Sequence, residues 1–296
     1  MAVPGNTALP PSVGIAPALA EFTRQIGAEL AAGTPELPAF PEIAMRARHA
    51  LSRAEVSIEE VVRIVGAEPS LAVRLLQLAN SAAVNRSAQR VTTLRTAIAR
   101  MGFDLARSAT IAFAMSQMRR AEPWRELQTR FREIWESCAR LAATAYSVAR
   151  ERRRADADQA LLAGMLHAVG KLYVLIRMSR FPPLMRDPAI AAEIEHVWQA
   201  RAGRALLAHW TLPPEVIEAA CGFDQAGGGD PGPASLCDVL MSAHYLVGVQ
   251  DIAGLPGAAF LGAPCFVRLG LDLEAAARVL QASSAEIASL RAALAD

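Results

Sequence analysis

Aromatic residues make up only 5% of this chain, and Val, Ile and Thr seldom alternate with polar residues, so the side chains that favour pleated sheet are scarce. Lysine occurs once, at Lys171, among 30 basic residues. The formal net charge is +1, without the positive excess that a nucleic-acid binder usually carries. The four cysteines, Cys138, Cys221, Cys237 and Cys265, have no CxxC spacing and sit among apolar or small residues, as buried free thiols do. They point to a reducing compartment. The first twenty residues lack the basic and continuous apolar segments of a signal peptide, and their prolines argue for an irregular arm. The most apolar internal stretch, residues 161–176, is interrupted by His167 and Lys171 and is too short for a clean membrane span. A cytoplasmic protein with no membrane association is expected.

Hydrophobic residues make up 53% of the 296, enough for a sizeable core, and Ala and Leu recur in nearly every stretch. The fold class is therefore all-α. After an irregular arm over 1–17, residues 18–32 read as a helix. A proline-punctuated connection over 34–41 leads to a second helix near Glu42. Ser57 and Glu60 form a capping box that starts a helix at Ile58. Pro69 suits a first helical position, with Leu71, Leu75, Leu78 and Ala79 on one apolar face. A short helix over 93–101 stops at Gly102, and Asp104 caps the next, which runs towards Met118. Pro123 opens a longer helix that ends near Arg152 in a charged run.

Further helices are expected over 157–167, 172–178 and 188–209, with a short one from Pro214 towards Cys221. The Gly- and Pro-rich stretch 222–233 reads as a flexible loop. Three more helices follow, over 235–249, around 273–281, and from Ser284 as N-cap to the C-terminus. A junction between Met118 and Pro123 divides the chain into subdomains 18–120 and 121–296.

Two stretches carry a family resemblance. LPAFPEIAMRARHAL (37–51), SIEEVVRIVGAEPSLAVRLLQLANSA (57–82) and VTTLRTAIARMGFDLAR (91–107) together resemble the opening of HDOD domains, HD-related output domains used in bacterial signalling. LLAGMLHAVGKL (161–172) resembles the LLAGLLHDIGKL segment shared by HDOD and catalytic HD phosphohydrolases, with Ala168 in place of the aspartate. The resemblance covers roughly residues 36–250. It implies a multi-helical HD-like domain over 121–296 with an N-terminal helical subdomain packed on it.

Hydrolysis by the catalytic relatives requires a metal to polarise the phosphate and activate water. The resemblance implies that an upstream His, the His-Asp pair and a later Asp would supply the donors. Here only His167 matches clearly. Ala168 offers no lone pair. The upstream His falls at Ser137, a further His at Gln199, and a pair of histidines after the Leu-Pro-Pro helix is replaced by Gly222-Phe223. The late Asp matches His244, itself a good ligand type. His196, one helical turn before Gln199, is a third candidate donor beside His167 and His244.

Each of these residues also has a plainer reading. His167 reads first as a hydrogen-bonded core histidine. Lys171, on the same face as His167, either meets a phosphate or snorkels to solvent. Asn80 and Ser81 read as C-capping and turn residues, Arg74 and Arg86 as solvated or ion-paired. The cluster Arg150, Arg152, Arg153 and Arg154 reads as a solvated helix end. A helix-turn-helix over 58–119 is disfavoured because the later helix offers few base-reading side chains after Arg107.

The leading expectation is a non-catalytic signalling module that needs no cofactor and acts on a protein partner. Its remnant cleft at His167, Lys171 and His244 is also a candidate site for a small anionic ligand, cyclic dinucleotides entering by analogy only. The alternative is a residual metal-dependent phosphohydrolase or phosphate binder using His167 and His244.

Overall fold

Helix is the only regular secondary structure among the described residues of the computed structural model, as the Ala- and Leu-rich composition requires. The structure describes residues 14–33, 35, 37, 46–47, 49–50, 53, 55–80, 84–85, 89–120, 126–153, 155–210, 212–224, 232–249, 252–257 and 259–294. Residues 1–13 of the arm, the start of the helix near Glu42, Ser81, Arg86, the 121–125 junction, Arg154 and the centre of the 222–233 loop lie outside these residues, while the first helix begins at Ile15, three residues inside the expected arm. Two compact units divide the chain: Met1–Glu36 with Val169–Trp210, and Leu37–Ala168 with Thr211–Asp296. The division follows packing rather than chain order, so α1 (Ile15–Ala31) belongs with helices that come more than a hundred residues later.

In the smaller unit, α1 buries Phe22, Ile26 and Leu30, one residue per turn on one stripe. Phe22 meets Phe181 edge to face at 5.7 Å. The Glu29 carboxylate accepts hydrogen bonds from the Tyr173 hydroxyl at 2.6 Å and from Arg177 Nε at 2.5 Å, tying α1 to α7 (Val169–Met178). A single short turn, α8 (Pro182–Met185), leads to α9 (Pro188–His209). Asp187 caps α9 by accepting from Ala189 N at 3.0 Å, and Pro188 occupies its first turn where no donor is missed. Helices α7 and α9 touch backbone to backbone at Gly170, where a Cβ would lie 1.9 Å from the Gln199 carbonyl oxygen and 2.6 Å from Gly203 N.

The larger unit holds α2 (Ile58–Gly66), α3 (Pro69–Ala79), α4 (Leu94–Arg120), α5 (Gln128–Arg152) and α6 (Ala157–Leu166), then α10 (Pro214–Gly222), α11 (Leu236–Val247), α12 (Pro264–Leu269) and α13 (Leu273–Leu294). Ser57 caps α2 by accepting from Glu60 N at 3.2 Å, but the Glu60 carboxylate pairs with Arg53 at 2.6 Å. The expected reciprocal box is therefore half made. The complete one stands at α11, where Ser235 Oγ accepts from Asp238 N and Asp238 accepts from Ser235 N. Leu71, Leu75, Leu78 and Ala79 are all buried on α3, as their spacing predicts. Arg74 on the same helix, expected to be solvated or ion-paired, is buried and donates to Gln77.

Asn80 ends α3, and its side chain also donates to and accepts from the backbone of Val91, which pins the following loop. In α4, Gly102 takes φ 74° and ψ 168°, a conformation open to glycine, and so breaks the helix at the expected residue. α5 is the central helix, buried at every residue from Leu141 to Ala149. It crosses α6 at Gly164, where a Cβ would lie 2.5 Å from Ala142 Cα. Arg152 at its end donates to Leu269 O at 3.0 Å and so caps α12, while Arg153 stops α5 in the left-handed region at φ 51°.

One expectation at the C-terminus is corrected. Ser284 does not cap a new helix, because α13 runs unbroken through Ser283 and Ser284. The Ser283 hydroxyl bonds back to Leu280 O at 3.1 Å, so it satisfies itself within the helix and need not start another. Residues 252–257, 259–262 and α12, short turns of helix on Gly- and Pro-rich sequence, carry too little periodicity to be foreseen. The stretch Ala157–Met178 is long and apolar enough to cross a membrane, yet 83% of its apolar window is buried in the protein and a turn at His167–Ala168 divides it.

Candidate functional site

The HD-like segment ends α6 at His167, which serves as its C-cap, and the chain turns there before α7. His167 Nδ1 lies 2.8 Å from the carbonyl oxygen of Gly164, one turn back in the same helix. The half-buried imidazole is thereby held in one orientation, as the plainer reading expects. Ala168 is buried and places a methyl group where a carboxylate would be needed.

Three helices of the larger unit bring side chains towards this turn. Cys138 comes from α5, next to Ser137, which matches the upstream His of the catalytic relatives. The Cys138 thiol is fully buried, and burial pushes its pKa up to about 12 against the opposing effect of the Ala168 backbone N–H. It keeps its proton at neutral pH. Phe223, C-cap of α10, is buried and faces His167 edge-on at 6.4 Å between ring centroids. His244 on α11 lies 5.6 Å from Phe223 on a tilted ring and is exposed. The candidate histidines of this unit thus both meet one apolar ring. From His244 the rings continue through Tyr245 to Phe260, stacked at 5.3 Å and 7°.

The other candidates lie in the smaller unit. Lys171 pairs with Glu195 of α9 at 3.1 Å, and Glu195 is buried while Lys171 is partly exposed. Of the two expectations for Lys171, phosphate contact or snorkelling, neither included this carboxylate. A buried Glu on a neighbouring helix leaves no local sequence signal. His196 is exposed on α9, and Gln199 turns its backbone carbonyl to Gly170. Among the described residues, no group of three or more His, Cys, Asp and Glu side chains stands close enough to hold a metal ion. A methyl at Ala168 and a phenyl ring against both His167 and His244 do not fit the metal centre of the catalytic relatives.

The HDOD domain family model matches residues 37–223. No curated protein matches the chain. Solved structures share its fold. A Shewanella amazonensis SB2B protein, provisionally named a metal-dependent phosphohydrolase, superposes with a TM-score of 0.74 at 22% identity, over 93% of this chain and 100% of its own. An HDOD domain protein of unknown function from Geobacter sulfurreducens gives 0.60 at 18% identity, over 94% and 98%. A protein of Marinobacter aquaeolei VT8, provisionally named a signal transduction protein, gives 0.58 at 21%, over 98% and 68%.

Proposed function

Because the chain belongs to the HDOD domain family, we propose that it is a non-catalytic signalling module that passes a signal to a protein partner in the bacterial cytoplasm, through its helical surface. The observation that carries this reading is Phe223, whose ring faces His167 and His244 where hydrolysis would need metal donors. Membership of a family of output domains supports the signalling half of the reading, and the Ala168 methyl supports the non-catalytic half. Neither nucleic acid nor membrane is needed as a partner, given the +1 net charge and the buried apolar helices.

Elemental mass spectrometry of the purified protein, beside His167→Ala, after exposure to manganese, iron and zinc, tests the reading. The expected result is no stoichiometric metal in either protein. Stoichiometric metal that is lost in His167→Ala would overturn it in favour of a residual phosphohydrolase built on His167 and His244.

A further inference from the structure

A cavity of about 850 Å³ opens within the larger unit, walled by α5, α11 and α13. Its volume lies inside the range of roughly 300–1,000 Å³ typical of small-molecule sites. It exists because α13 does not break at Ser284: the unbroken helix carries Leu280 and Ile287 along one side of the space. Leu246 and Val249 face it from the end of α11, so the wall is mostly aliphatic.

Among the described residues the polar lining is Arg140, Thr144, Gln281, Ser283 and Ser284, of which the arginine alone is charged. Arg140 lines the cavity from the exposed side of α5, and among the described residues no Asp or Glu lines it. None of the hydrogen bonds and ion pairs between described residues involves Arg140, whereas Arg152 and Arg268, elsewhere in the same unit, are tied to oxygens. Thr144, one turn further along α5 and only 1% exposed, brings a hydroxyl to the same wall. An unengaged guanidinium above an aliphatic chamber matches an anionic head on an apolar tail. The planar fork of Arg suits a carboxylate in particular.

We propose that this cavity binds a carboxylate bearing a medium-length aliphatic chain, with its head on Arg140 and its tail along Leu246, Leu280 and Ile287. The site is separate from the His167–Phe223–His244 ring cluster, and the proposal stands whether or not the protein retains any hydrolytic activity.

Calorimetric titration of the full chain with hexanoate, octanoate, decanoate and 1-octanol tests it. Affinity should rise by about fourfold for each buried methylene along the acid series. Arg140→Gln, at an exposed position that folding tolerates, should weaken octanoate by about tenfold and leave 1-octanol unchanged. Ala253→Trp, also at an exposed lining position, should fill the cavity and abolish both. Failure of octanoate to bind the unmodified protein would overturn the proposal. So would equal octanoate affinity in Arg140→Gln, which would place the carboxylate elsewhere, or undiminished binding in Ala253→Trp, which would place the ligand outside the cavity.

Discussion

Helices α6 and α7 follow one another within a single motif-bearing segment, and each carries one glycine into which a neighbouring backbone fits. Gly164 on α6 admits Ala142 of α5, and Gly170 on α7 admits Gln199 and Gly203 of α9. Their polar residues behave differently. Lys171 on α7 neutralises the buried carboxylate of Glu195, whereas His167 at the end of α6 turns to the carbonyl of its own helix and faces a phenyl ring. The packing requirements of the segment are met in both helices, and its ancestral chemistry is met in neither. A sequence motif can persist as a rule for helix contact after its catalytic content has gone.

The strongest way to test that contrast is to fill the glycines. Gly170→Ala would drive a Cβ into the Gln199 carbonyl and should destabilise the protein by about 3 kcal/mol or more, with Gly164→Ala close behind, measured by urea denaturation. A loss under 1 kcal/mol, roughly that of an ordinary surface change, would show that the helices yield and that packing does not explain the glycines.

Smaller effects separate the two polar residues. Lys171→Ala strands Glu195 without its partner and should cost about 1–2 kcal/mol, moderated because the lysine is partly exposed. His167→Ala should cost about 1 kcal/mol or less, the value of one hydrogen bond to its own helix. Adding Glu195→Gln should recover much of the Lys171→Ala loss. If His167→Ala proves the costlier of the two, the ring cluster matters more than its geometry suggests.

The mildest effect is on pH dependence. Burial pushes the Glu29 carboxyl up, but the hydrogen bonds from Tyr173 and Arg177 and the charges of Arg177 and Arg180 outweigh it, so its pKa is lowered. Its stabilisation is present above the unfolded carboxyl pKa and is lost as acid titrates it through the lowered value. Tyr173 runs the other way: burial, then its hydrogen bond to Glu29, raises the phenol to about 12. Its contribution is whole below pH 10 and fades as pH rises from 10 to 12. Tyr173→Phe should remove that alkaline slope in pH-dependent melting curves and shrink the acid limb to the part that Arg177 and Arg180 supply. An alkaline slope that survives the substitution would assign it to other groups.

What the chain announces about itself depends on how local the signal is. The α9 bounds were legible because Asp187 and Pro188 mark its start and the apolar period carries it to His209. Gly102 was legible because only glycine takes its conformation cheaply. Ser284 misled because a serine reads as a cap unless its neighbour is seen bonding back within the helix. At the site, His167 and His244 stood out by chemistry and motif. The placing of Phe223 between them, and of Glu195 under Lys171, depends on helix contacts that no residue spacing encodes.

The burial of Cys138 offers a clock for this architecture. With its sulfur sealed beneath α5 and its proton held to about pH 12, a thiol reagent can reach it only when the helix lifts away. Cys237, partly open at the start of α11, should label at once, and the lag before Cys138 follows would report, in the unmodified protein, how often its central helix breathes.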